Sequence, residues 1–354
     1  MKEQINKFLN NKVADFSIID AIYQLDRNVP YDKTCPKDIG EKPLTLDEQK
    51  DLVVEFFSAI GLDAKSIIEN ENPLYVSTFK ASDSAGGIVG HGNYDEFVSV
   101  DIEYTNTVHS ASILAHEIGH ALSCHHYKTA ELAKLTNKAE KIYGRSSKEF
   151  KDQRQIFRDF CDSKRLFSKD CIGEIESHVS EKLFMYFLKQ KDIISEQEFN
   201  DYLTTQNNNL RNNSTLIIEE DVILSRVKNP ITEQDCVRLY NQFKDSRHLN
   251  QLLDRIRIMA ERKNHPKKSE RRVHSEHRFR YIVGEVVSSV WFNKYIQASK
   301  QEKQKLIELY KDYLRNSDTC TLNNCCNLLL GDGCSLEDTL KEYLGTISSQ
   351  SSHL

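Results

Sequence analysis

The chain has 354 residues, of which 39% are hydrophobic and 29% charged, with a net charge of −5. This excludes a disordered polyelectrolyte and allows a substantial buried core, and a slightly acidic chain has no global field toward nucleic acid or membranes. Glycine and proline number only 13 and 6, so long helices with few breakers are expected.

Residues 1–30 are predicted to be helical, with Phe8, Val13, Ile18, Ile19, Ile22 and Leu25 as apolar positions. The opening Met1 to Asn10 has no continuous apolar stretch, so no signal peptide and no membrane span is read. A cytoplasmic location is expected, which leaves room for delivery into a host cell as an effector. Pro30 to Pro43 reads as an irregular linker. Thr45 then caps a predicted helix from Leu46 to about Ile60, which Gly61 ends. Pro73 to Val100 is the least helical stretch. Leu74 to Lys80 and Gly86 to Gly92 suggest two or three short strands with glycine turns, and Glu96 to Glu103 alternates as a strand does. Beyond Thr107 the spacing predicts helices near 107–124, 128–142, 146–167, 171–190, 195–205, 218–227, 231–263, 278–297, 300–315 and 335–343, with a polar loop at 206–214. Cys320, Cys325, Cys326 and Cys334 lack the paired spacing of a zinc ribbon and read as helix-packing thiols.

The most specific signal is His116-Glu-Ile-Gly-His120. On a helix the two histidines share one face, a turn apart, and can hold one zinc ion. Glu117 beside them can take a proton from a water held there. Thr105, Asn106 and Thr107 offer N-cap oxygens for this helix. A third ligand is required, and two readings compete. In one, a second helix over Cys171 to Leu188 supplies Glu174, with Ser177, His178 and Glu181 on the same face. Glu181 would accept an N–H from a ligand histidine. In the other, His126 serves, ten residues after His116 as in the metzincin pattern, although position 123 is Ser where that pattern has Gly.

These segments resemble, in order, the oligoendopeptidase F and thimet oligopeptidase family of zinc peptidases. Leu44 to Gly61 is similar to the helix that opens that family's catalytic region. Ser84 to Val89 is similar to its glycine-bearing strand. Val108 to Leu122 resembles its zinc helix, and Glu174 to Glu181 its E-x-x-S-x-x-x-E helix. His277 to Gly284 resembles the segment that closes the site, and Leu328 to Gly345 carries a similar C-terminal pattern. The resemblance implies a mainly α, zincin-like catalytic domain over 44–345 with a small β-sheet bordering the cleft. Residues 1–43 would be an N-terminal extension and linker, 128–167 a helical insertion, and 346–354 a tail. Set against that family, the sequence is expected to lack most of the N-terminal helical region that covers the cleft.

The implied activity is that of a metalloendopeptidase with one catalytic Zn2+, acting on a peptide or protein. His116, His120 and Glu174 would bind the metal, with Ser177 and Glu181 behind them. Glu117 would be the general base, and Tyr281, with His277 or His274 as second choice, the oxyanion donor. Gly86 and Gly87 would let a substrate backbone lie against the strand edge, and Arg278 and Arg280 would grip a carboxylate. The alternatives are the metzincin-like protease using His126 and a non-catalytic effector that keeps the zinc scaffold and binds through the basic stretch Arg262 to Arg280.

Overall fold

A computed structural model of the protein describes residues 18–34, 43–69, 76–80, 86–91, 98–126, 128–164, 174–226, 233–243, 274–317 and 322–351. The expectations for Phe8, Val13, Leu74, Ser84, Ala85, Cys320, residues 244–263 and the last three residues lie outside these, as do the side chains of His126, His274 and His277.

Helix α1 (Ile18–Asn28) is followed by α2 (Leu46–Ala59) and the short α3 (Lys65–Ile68). Thr45 starts α2 through a capping box: its side chain accepts the Glu48 N–H, and Glu48 accepts the Thr45 N–H. Gly61, with φ 74°, follows its end, in a left-handed geometry that suits glycine. The sheet contains β1 (Val76–Lys80), β2 (Gly86–His91) and β3 (Val98–Tyr104), in the order β1-β3-β2. β3 runs parallel to β1, pairing Val76 with Val100, and antiparallel to β2, pairing Gly86 with Glu103. Along β3, Val100 and Ile102 are buried while Glu103 is exposed, so the period-2 alternation sets the inner face.

A turn of three residues leads from β3 into α4 (Val108–His126). The turn is fixed from both sides. Thr107 Oγ1 accepts the Ser110 N–H at 3.2 Å, and the Thr105 N–H donates to Ser110 Oγ at 3.1 Å. Buried Gln49 of α2 donates to the carbonyls of Leu44 and Thr105 at 3.0 and 2.7 Å, tying the starts of α2 and α4 together. Helices α5 (Lys128–Tyr143) and α6 (Lys148–Lys164) then form a hairpin around Gly144, φ 79°. Leu132, Phe150 and Phe157 are buried there, yet among the described residues none joins the main core.

The main core is built on α7 (Ile175–Gln190), which packs on α4. At their crossing a Cβ on Gly119 would lie 2.6 Å from Ser180 Oγ and 3.2 Å from Ser177 Cα, so only glycine permits this approach. Helix α8 (Glu196–Arg226) is one unbroken element of 31 residues, which overturns the expected loop at 206–214. The stretch is poor in intrinsic helix formers, but Leu203, Leu210 and Ile217, seven apart, all pack into the core. Its polar residues are also tied down: Gln206 to Glu181, Asn208 to Asp32, and Arg211 to the Val29 carbonyl. Tertiary contact overrides local preference here.

After α9 (Glu233–Phe243) comes α10 (His274–Gln297), which packs on α7 and α8. Helices α11 (Lys300–Asn316), α12 (Leu322–Leu330) and α13 (Leu336–Ser351) complete the chain. α12 was not expected from the sequence. It buries Cys325 and Cys326, neither of them in a disulfide; burial pushes Cys326 up to about 12, an inert packing thiol. α13 runs past 343 to Ser351, so residues 346–351 continue a helix. α1 packs against α8 and α13, with Ile22, Leu25 and Val29 in the common core. No helix of the described residues is long and apolar enough to cross a membrane.

Candidate metal centre

His116 and His120 project from one face of α4, their ring centroids 4.9 Å apart. Glu174 sits at the N-terminus of α7, directly opposite. Its Oε2 lies 3.5 Å from His116 Nε2 and 3.6 Å from His120 Nε2. One ligand atom from each of the three residues lies within 4.8 Å of the others, so together they could hold a metal ion. Two imidazoles and a carboxylate are the donor set of a zinc site that keeps one position open. α4 continues unbroken to His126, about 9 Å along the axis past His120 at 1.5 Å per residue. The chain makes no turn back there of the kind a metzincin ligand requires.

Burial disfavours charge at His116, but the carboxylates of Glu174 and Glu181 outweigh it and hold its pKa well above the usual range. For His120, burial is likewise outweighed by Glu174 and Glu176, leaving it at about 9. Burial raises the Glu174 pKa, and the two histidines overcome that to hold it well below the usual carboxylate range. Glu174 is therefore ionised, the form in which a carboxylate binds a cation. Protons and a metal compete for the same imidazole nitrogens, so metal affinity drops as pH is lowered.

Each histidine has a carboxylate behind it. Glu181 Oε2 is 3.1 Å from His116 Nδ1, and Gln206 donates to its Oε1 at 2.9 Å. Glu176 Oε1 is 3.7 Å from His120 Nδ1, and the Tyr313 hydroxyl donates to its Oε2 at 3.1 Å. The Tyr310 hydroxyl donates to the Glu176 carbonyl at 2.9 Å. Helical spacing separates Glu176 from Glu174 by about 200°, so sequence reasoning passed over it. Glu174, however, precedes the helix with φ −105° and ψ −8°, off the regular wheel, so both carboxylates can face α4. Ser177 is fully buried and its hydroxyl donates to the Glu174 carbonyl at 3.1 Å, bracing the backbone of this candidate ligand.

Glu117 is 6% exposed, and its burial raises its pKa above the usual carboxylate range, as suits a general base. Tyr281 stands beside the group, its ring edge-on to His178 at 6.1 Å. Burial first, and the charge of Glu174 next, hold its phenol well above its usual range, so it remains an O–H donor at neutral pH. Arg280 Nε is 3.4 Å from Glu174 Oε1, so this guanidinium faces a candidate ligand. Arg278, two positions earlier on the same helix, points about 200° away. The backbones of Gly86 and Gly87 start β2, at an edge of the sheet among the described strands and in contact with α4.

A second buried cluster lies behind the site and was not expected. Lys182 Nζ is 2.6 Å from Glu285 Oε2, and His178 Nδ1 lies 3.1 Å from the same oxygen. Ser289 donates to Glu285 Oε1 at 2.9 Å. The His178 ring meets that of His116 edge-on at 5.3 Å. Sequence periodicity marked His178 as polar on a good face but gave no sign of its partner, more than 100 residues away.

The sequence matches no family model and no curated protein. The structure resembles that of a protein described as an oligoendopeptidase F from Bacillus anthracis str. Ames, with a TM-score of 0.55 and 12% identity, over 100% of this chain and 55% of that one. A protein described as a peptidase from Chlamydophila abortus matches with a TM-score of 0.43 and 15% identity, over 94% of this chain and 53% of that one. The chain thus has the fold of the oligoendopeptidase structure, mainly helical with a small sheet, and spans about half the length of the structures it matches.

Proposed function

We propose that the chain is a zinc-dependent endopeptidase. The observation that carries this reading is the convergence of His116, His120 and Glu174 with a buried Glu117 next to them. His116, His120 and Glu174 would hold the ion, which when bound polarises the scissile carbonyl and lowers the pKa of a water. Glu117 accepts the proton of the attacking water and returns it to the leaving amine, and its raised pKa suits both steps. Tyr281, still protonated, donates to the oxyanion as charge develops there. A peptide added antiparallel along β2 would meet no side chain at Gly86 and Gly87, so recognition would read the backbone more than the sequence.

The test is digestion of a mixed peptide library followed by mass spectrometry, with Glu117→Gln as control. Cleavage by the zinc-loaded wild type should vanish in the variant while bound zinc is retained. Equal cleavage by the two would sink the mechanism. Zinc binding without any cleavage would favour the effector that uses the scaffold to bind. His126→Ala should keep its zinc and Glu174→Ala should lose it; the reverse result would restore the metzincin-like reading.

A further inference from the structure

The two carboxylate oxygens of Glu174 face different partners. Oε2 looks at the two imidazoles, 3.5 and 3.6 Å away. Oε1 looks at Arg280, 3.4 Å away, with side chains only 5% and 20% exposed. Arg280 and Gly284 stand one turn apart on α10. A Cβ on Gly284 would lie 2.7 Å from both the Cβ and the carbonyl oxygen of Glu174, so α10 meets this residue at its backbone and at its carboxylate. The guanidinium also lies 5.7 Å from the Tyr281 ring centroid, between the candidate third ligand and the candidate oxyanion donor.

We propose that Arg280 is a positioning residue of the metal site, holding Oε1 of Glu174 so that Oε2 alone serves the ion. This rests on the zinc reading above and gives Arg280 a task other than gripping substrate. A glutamate held at neither oxygen can swing away from the two imidazoles, and a ligand that is not held in place binds a cation more weakly. A guanidinium prevents that, because it is planar, permanently charged and shaped for carboxylate oxygens. The sign of the effect separates this role from a simple charge effect. The positive charge of Arg280 repels a dication, so its removal should tighten metal binding if charge were all it contributed. If it positions Glu174, its removal weakens binding.

The full chain is compared as wild type, Arg280→Gln and Arg280→Lys. Zn2+ affinity is measured by competition with a chelator, and coordination number is read from the visible spectrum of the Co2+-loaded proteins. Arg280→Gln should bind Zn2+ about 10–100-fold more weakly, as expected when a partner behind a ligand is lost. Its Co2+ spectrum should change as Glu174 loses its fixed pose at the ion, and kcat should fall more than KM rises. Arg280→Lys keeps the charge but loses the fork, and should fall between. Unchanged or tighter Zn2+ binding with an unchanged Co2+ spectrum overturns the assignment, and a rise confined to KM would place Arg280 on the substrate instead. Should melting show Arg280→Gln unfolded, Arg280→Lys decides by the same readouts, and wild-type affinity in that variant overturns the proposal. A wild type that binds neither ion defeats the zinc reading itself, whereas binding with indifferent variants defeats only the role of Arg280.

Discussion

α4, α7 and α10 are joined by buried polar groups and close backbone approaches, while the α5–α6 hairpin next to them in sequence buries, among the described side chains, mainly apolar ones. In the first region two glycines set the helix separations, and Glu174, Glu176, Glu181 and Glu285 each have a named buried or half-buried partner. In the second, Leu132, Phe150 and Phe157 are buried, but Leu135, Ile142, Tyr143 and Ile156 are exposed by 44%, 58%, 57% and 53%. A metal site needs its donors fixed to within a fraction of an ångström. Buried polar partners supply that fixity because an unpaired one is costly in a low dielectric. An apolar hairpin has no such requirement and can shift at small cost.

The largest expected effect follows from breaking the ionic part of this frame. Lys182 and Glu285 are almost fully buried, and removing one partner leaves a charge without compensation. Lys182→Met should cost about 3–5 kcal/mol, read by chemical denaturation. The pair also fixes a pH dependence. Burial raises the Glu285 pKa, but Lys182 and His178 overcome this and hold it far below its usual range. A depressed folded pKa stabilises the fold above the unfolded value, about 4.3 for Glu, and that contribution is lost as pH falls below it toward the folded pKa. Glu285→Gln should therefore be less stable than wild type at pH 7 and show a flatter loss of stability below about pH 4. Equal melting curves at both pH values would show that the pair does not carry the frame.

A smaller effect is expected at the contact of α10 with α7. Alanine in place of Gly284 gains about 1 kcal/mol of helix propensity, but its Cβ would meet backbone atoms of Glu174 at 2.7 and 2.9 Å, which cannot rotate away. The clash should prevail, with a net loss of about 1–3 kcal/mol and weaker zinc binding as Glu174 is pushed toward α4. A stabilised Gly284→Ala protein with unchanged zinc affinity would remove the close approach from the argument.

The two regions also differ in how far the sequence discloses them. His116, Glu117 and His120 could be read because their spacing is local, and Glu174, Ser177 and Glu181 because a second helical pattern carries them. The Thr45 cap and the strand before α4 were readable for the same reason. What stayed hidden depends on distant partners. Gln206 and Asn208 look like loop residues until Glu181 and Asp32 are seen to hold them. Glu285 appears only as one charge in an apolar run, since the Lys182 and His178 that face it lie on α7. Glu176 was masked by an irregular residue at the helix start. Arg280 was read as a cleft cation, and its pairing with Glu174 depends on a crossing that Gly284 permits.

The smallest effects should come from the hairpin, and they test the comparison most directly. In a fully enclosed core, Phe→Ala costs about 3–5 kcal/mol. Phe157 is 6% exposed but lies outside the main core cluster, so Phe157→Ala should loosen α5 against α6 and little else. Hydrogen exchange should rise over residues 128–164, while global melting, zinc affinity and peptide cleavage stay near wild type, as expected for a unit that opens on its own. Ile142→Ser, at a position already 58% exposed, should change stability by no more than about 0.5 kcal/mol. If Phe157→Ala instead weakened zinc binding as much as Gly284→Ala does, the hairpin would be bracing α4, and the rigidity of the site would extend through the whole helix rather than residing in its contacts with α7 and α10.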